Sequence, residues 1–211
     1  MKQLFKQVND NINLSDLHDV QKITPQVVKD AAKCLKDGKT DPSIDVTSEC
    51  FKNCPDILYT LLSYILRSFL IHGHITIFLL LATLVPIIKN KLGSISTLKN
   101  YRSIAISSLI LKLLDRITLS LFSSKLGLDE LQFAYQEGAS TSMCTWAVLE
   151  TVGYFLRNGS DVYTCQTDMT KAFDMVRHSL LFCKLINAGF PKIFIRIFMF
   201  IYITYSFCFV E

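Results

Sequence analysis

Glycine and proline are scarce in this sequence, at 8 and 5 of 211 residues. That excludes a collagen-like or Pro/Gly-rich low-complexity chain. Charged residues are only 19% and apolar ones 50%, which excludes a disordered tail. No run of about 20 apolar residues is free of charge, the length a membrane-spanning helix needs. No second cysteine pair stands at metal spacing beside Cys50 and Cys54, so a zinc site is short of ligands. No apolar leader opens the chain, because MKQLFKQVND is polar. No Ser/His/Asp arrangement is evident, and the four histidines read as structural. The length fits one ordinary domain or a piece of a larger one.

Two apolar stretches nonetheless stand out, residues 57–88 and 193–210. The first is interrupted by Arg67, His72, Gly73 and His74, and the second carries Arg196. Each is closer to a buried core helix or strand than to a membrane span. A small membrane protein is the rival reading. The seven cysteines are odd in number and scattered, and read as reduced, intracellular thiols that mostly fill the core.

The net charge is +4. It is concentrated between residues 84 and 126, where Lys89, Lys91, Lys99, Arg102, Lys112, Arg116 and Lys125 face only Asp115. Such a segment is either a solvated face or a set of phosphate contacts.

Thr24 and Pro25 spell an N-cap and first helical position, followed by apolar residues at helical spacing up to Gly38. GKTDPSID is a polar turn. Further helices are predicted over residues 55–71, 109–122, 140–155 and 178–188, with Pro191 opening another. Residues 82–88 read as a strand, with Pro86 favouring an edge or bend. NYRSIAIS reads as a second strand or turn, and DVYTCQT, residues 161–167, as a third strand. The fold class is α/β or α+β, weighted to helix. Residues 1–20 read as a lead-in, followed by a longer region over 21–160 and a shorter one over 161–211.

The most informative segment is residues 161–178, DVYTCQTDMTKAFDMVRH. An acid, Asp168, ends the predicted strand, and Phe173 and Asp174 follow. A carboxylate there can hold a divalent cation against substrate phosphates, or it can simply cap the following turn. Both readings stay open on the residues alone.

Asp168-x-x-x-Ala172-Phe173-Asp174, followed by a valine and a histidine, resembles the first catalytic motif of reverse transcriptases, closest to those of non-LTR (LINE-type) retrotransposons. Other segments agree in the same order. LKDGKTDPSID is a blurred version of the family's Leu-Lys-x-Gly-Lys-x-x-Gly-x-Asp. PIIK, ending at Lys89, is similar to the first fingers strand. Asn100-Tyr101-Arg102-Ser103-Ile104 resembles Asn-Tyr-Arg-Pro-Ile. LILKLLDRI is similar to the Lys-x-x-Glu-x-Ile helix. Gln132-Phe133 and Gly138-Ala139-Ser140-Thr141 resemble Gln-Phe-Gly-Phe and Gly-x-Ser-Thr. HSLLFCKLINAGFP matches the helix, glycine and proline after the catalytic strand. The resemblance spans roughly residues 20 to 205, and its strength lies in six collinear motifs.

The resemblance implies a right-hand polymerase with fingers and partial palm, an RNA-directed DNA polymerase working on an RNA template, a DNA primer and dNTPs. Asp168 would be the first metal-binding carboxylate, with the Met169 carbonyl a further ligand, in a site for two Mg²⁺ ions. Arg102 would reach the incoming nucleotide's phosphates, with Lys89 a helper. Phe173 would gate against a 2′-hydroxyl. Lys171 and Ala172 would offer backbone N–H groups to the triphosphate, and Asp174 would cap or buttress. A nuclear or cytoplasmic ribonucleoprotein, with no membrane, is the implied setting.

The sequence departs from the pattern too. Ser103 stands where proline is usual, Gln136 where a basic residue is usual, and the second glycine of the upstream motif is absent. Ala139 often has a basic or small counterpart, and Thr76 and Leu79 replace a proline and a tryptophan. The family's paired-aspartate hairpin has no counterpart in these 211 residues, so a truncated chain, inactive alone and poorly soluble, is expected. A nucleic-acid-binding remnant without catalysis is the alternative.

Overall fold

A computed structural model describes residues 1–41, 46–97, 100–127, 129–136, 138–169, 172–173 and 175–205. The chain divides into two units, Met1–Lys125 with His178–Glu211, and Leu126–Arg177.

The first unit is built from helices whose starts are written in short polar side chains. α1 (Lys2–Asp10) is followed by α2 (Leu14–Gln21), which opens on a capping box. There Asn13 Oδ1 accepts from the Asp16 N–H at 3.1 Å, and Asp16 Oδ2 accepts from the Asn13 N–H at 3.0 Å. α3 (Pro25–Lys33) starts at the predicted cap, Thr24 accepting from the Val27 N–H at 3.3 Å. It ends earlier than the apolar run suggested, at Cys34, while Leu35 stays buried beyond the helix. α4 (Ser48–Lys52) is a single turn. α5 (Asp56–His72) ends on Gly73, whose φ of 64° is the left-handed conformation that glycine adopts without strain.

After α6 (Ile77–Leu80) come β1 (Thr83–Ile88) and β2 (Tyr101–Ile106), then α7 (Leu109–Phe122). The two strands pair antiparallel, with Val85 opposite Ile104, Pro86 opposite Ser103 and Ile87 opposite Arg102. Pro86 has no N–H to give, and among the described residues β1 has a neighbour on one side only. The class is therefore α+β, helix-rich with a small antiparallel sheet.

The core gathers Val28 and Ala32 of α3, Leu62, Leu66 and Leu70 of α5, and Leu113, Leu114 and Ile117 of α7. α9 (His178–Asn187) and α10 (Lys192–Tyr205) return to this unit. α10 buries Ile193, Phe194, Ile195, Ile197 and Met199, so it is apolar nearly all round. Each such side chain contributes about 1.5–3 kcal/mol on burial. The apolar run of residues 193–210 thus supplies core, as far as its described residues go. Among the described residues, no helix is long and apolar enough to cross a membrane.

Arg196, the charge inside that run, is a tie. Its guanidinium donates to Asn9 Oδ1 at 2.8 Å and to the Leu70 and Ile71 carbonyls at the end of α5. Those carbonyls lack helical partners, and the helix's negative end favours a cation there. Burial pulls the Arg196 pKa down from its ordinary value. Asp16 performs the matching role at the other end, where Oδ1 accepts from the Lys192 N–H at 2.7 Å as α10 begins.

The second unit holds α8 (Thr141–Arg157), capped by Ser140, which accepts from the Met143 N–H at 3.3 Å. No described residue of this unit is buried. Two expectations are corrected. Residues 161–167 form no strand: the β-favouring composition is there, but a strand is held by a ladder. Among the described residues only β1 and β2 make one. The cysteines do not fill the core either. Cys34, Cys50 and Cys165 are exposed and Cys54, Cys144 and Cys183 half-buried, because larger aliphatic residues occupy the inward helix positions. Cys208 lies outside the described residues.

Candidate functional site

The β1–β2 ladder fixes which side chains share a face. Side chains alternate along a strand, so Val85 and Ile87 lie on the same face as Arg102 and Ile104. The opposite face carries Leu84 and Ala105, which line a cavity of about 610 Å³ with Leu111, Phe182 and Phe198. Arg102 is therefore on the outer face, and it is exposed. The Lys89 N–H donates to the Asn100 carbonyl at 2.7 Å, which continues the alternation one residue beyond β1. Lys89 and Arg102 thus fall on the same face in diagonal positions, separated by roughly 7–8 Å in a ladder of this kind. The loop between the strands is tied by its own polar groups. Asn100 accepts from the Asn90 N–H at 3.0 Å and donates to the Asn90 carbonyl at 2.9 Å, and Tyr101 donates to the Ile95 carbonyl at 2.9 Å.

The other residues singled out in the sequence belong to the second unit. Asp168, Met169, Ala172 and Phe173 are all exposed. Lys171 and Asp174 lie outside the described residues. Phe173 meets Tyr135 edge to face, ring centroids 6.4 Å apart and 87° between planes. That contact brings the Asp168 segment together with the QFAY segment. Tyr135 reaches it with φ 61°, a left-handed backbone that a bulky side chain adopts at a cost.

A magnesium ion needs an octahedral shell of oxygens, usually with two carboxylates among them when two ions are held. Among the described residues no three His, Cys, Asp or Glu side chains stand together. Asp168 and the Met169 carbonyl are one carboxylate and one amide oxygen. This donor set does not complete a two-ion site.

Sequence reasoning read the segment after α3 as a polar turn and a motif but did not single out Asp41. Asp41 is fully buried and accepts from Ser108 Oγ at 2.8 Å and from the Leu109 N–H at 2.6 Å, capping α7 from outside. Ser48 donates to the Lys36 carbonyl at 2.8 Å and accepts from the Lys39 N–H at 3.3 Å, so the turn is fixed at both ends. The result sets Lys36 and Lys39 beside Lys112 and Arg116 of α7, around a cavity of about 310 Å³. The i, i+4 spacing of Lys112 and Arg116 was a legible signal.

The comparisons name no kin: no family model matches the chain, and no curated protein matches it.

Proposed function

We propose that this chain is a reverse-transcriptase-type segment, fingers and partial palm, of the class that transfers dNTPs onto a DNA primer paired with RNA, and that the 211 residues alone do not carry out that transfer. The observation that carries the reading is the hairpin. Two motifs found independently in the sequence, PIIK and NYRSI, pair with each other, and the pairing turns Lys89 and Arg102 to one exposed face. A forked, permanently charged guanidinium beside an ammonium suits phosphate oxygens. In this reading Arg102 grips phosphate and Lys89 assists. In the second unit, taken by itself, the resemblance would make Asp168 a metal carboxylate and Phe173 a ring beside the sugar. When bound, magnesium would supply charge neutralisation at the phosphates. The ring contact between Phe173 and Tyr135 supports the reading as well, since it joins two segments that the resemblance identifies separately.

A second reading is nucleic-acid binding without catalysis, for which the cations of the hairpin face suffice. One set of measurements tests both readings. The chain is titrated with a fluorescent primed RNA–DNA duplex over a range of salt. Binding is expected to weaken linearly with log[salt], and Arg102→Gln to lower the slope by about one phosphate contact. A slope unchanged by Arg102→Gln and Lys89→Gln rejects the hairpin as the contact. Mg²⁺-dependent incorporation is then measured on the same duplex. None is expected, and robust incorporation abolished by Asp168→Ala overturns the statement that the 211 residues alone do not carry out the transfer.

A further inference from the structure

From the cavity between the turn after α3 and α7, we infer that the first unit holds a second anion site, distinct from the hairpin face, that takes a compact phosphate-bearing ligand. Four cations line it, Lys36, Lys39, Lys112 and Arg116, with a single acid, Asp115. None of the four is in an ion pair among the described residues, and the acids of the turn, Asp37, Asp41 and Glu49, have other partners. Asp37 pairs with Lys52. Glu49 accepts from the Gly38 N–H, which holds its carboxyl down at about 2. Asp41 is spent on Ser108 and Leu109. Among the described residues, these three acids make no ion pair with Lys36 or Lys39. The four side chains border a cavity of about 310 Å³ together with Leu35, Leu109 and Leu119.

Asp115 opposes an anion there. Desolvation pushes its carboxyl up to about 6, and it is the one lining group whose charge the site disfavours. Phosphate is the ligand class because four cationic side chains border one small space, and a polyphosphate can engage several of them at once. The phosphate can belong to a nucleotide or to an inorganic polyphosphate.

The test is calorimetric titration of the full chain with sodium tripolyphosphate and, separately, with ATP, both without metal. Saturable binding of both is expected. Lys112→Gln and Arg116→Gln are each expected to weaken it about tenfold. Asp115→Asn should tighten it severalfold, a gain that misfolding cannot mimic, and the component of binding that Lys112→Gln and Arg116→Gln weaken should persist in Arg102→Gln. Equal affinity for the two probes assigns recognition to the phosphate chain, and tighter ATP assigns it to a nucleotide; either supports the site. The inference fails if neither anion binds, or if the Lys112 and Arg116 variants bind as the parent does. Loss on Arg102→Gln alone also overturns it, by placing the anion on the hairpin, and leaves the proposed function standing.

Discussion

Replacing Asp41 by alanine tests how the turn and α7 are joined. The carboxylate is fully buried, and both donors it serves are too: Ser108 is 0% and Leu109 1% exposed. Alanine leaves a hydroxyl and a helix-start N–H without that acceptor in a dry environment. An unsatisfied buried donor costs about 1–3 kcal/mol. Loss of a negative charge at a helix N-terminus adds about 0.3–1 kcal/mol. Asp41→Ala should therefore cost about 3–5 kcal/mol, once partial relaxation is allowed. Asp41→Asn keeps an oxygen for both donors and should cost about 1–2 kcal/mol. For a unit of this size, 1 kcal/mol moves the melting midpoint by about 2–4 °C. Far-UV circular dichroism in urea reads the effect. The only tryptophan, Trp146, lies in α8 of the second unit, so its fluorescence monitors that unit separately. The reasoning is refuted if Asp41→Ala shifts stability by under 0.5 kcal/mol, or if Asn and Ala cost the same (both thresholds of about the precision of such measurements).

Other outcomes are equally specific. A Cβ at Gly73 would sit 2.6 Å from Arg196 Nε with φ at 64°, so Gly73→Ala should cost about 2–3 kcal/mol. In an Arg196→Met background that cost should shrink, and a double-mutant cycle in urea shows whether it does. Asp115 is raised from 3.8 to about 6 in the folded chain, so the folded state binds the extra proton. Stability should rise as pH falls from about 6 to 4, by about 1 kcal/mol because water still reaches the group, and Asp115→Asn should flatten that limb. Glu49 is lowered from 4.5 to about 2, so its contribution is present above 4.5 and fades as pH falls through that window, an effect Glu49→Gln removes. On α8, Trp146 and Leu149 are 66% and 64% exposed, so Trp146→Gln with Leu149→Gln should improve monodispersity in light scattering while the urea midpoint stays put.

What the sequence revealed and what it hid divide along the range of the interactions involved. α7 spans the predicted residues 109–122, and α3 begins on the predicted Thr24–Pro25, because caps and apolar spacing act within one or two turns. α4 and α6 offer too few turns for a period to emerge, and α1, as long as α3, lacks a side-chain cap to mark its start. Residues 161–167 show the opposite failure. Branched and aromatic side chains favour a strand locally, but pairing is a property of a partner, and propensity cannot provide one. Arg102 and Lys89 were legible as cations in a motif, whereas their common face followed only from the register. Asp41 looked like one more polar turn residue, since the donors that bury it are 67 and 68 positions away. Arg196 read as an interruption of an apolar run, and its three acceptors come from α1 and α5.

The most direct measurement of the central claim is equilibrium binding of a fluorescent dNTP to the full chain, compared with Arg102→Gln and with Lys112→Gln. Affinity should fall about tenfold on removing the Arg102 guanidinium. The component of binding lost on Arg102→Gln should survive Lys112→Gln, because Lys112 lies on α7 and not on the hairpin. Equal dNTP affinity in parent and Arg102→Gln proteins contradicts the claim that the hairpin's outer face holds nucleotide phosphates.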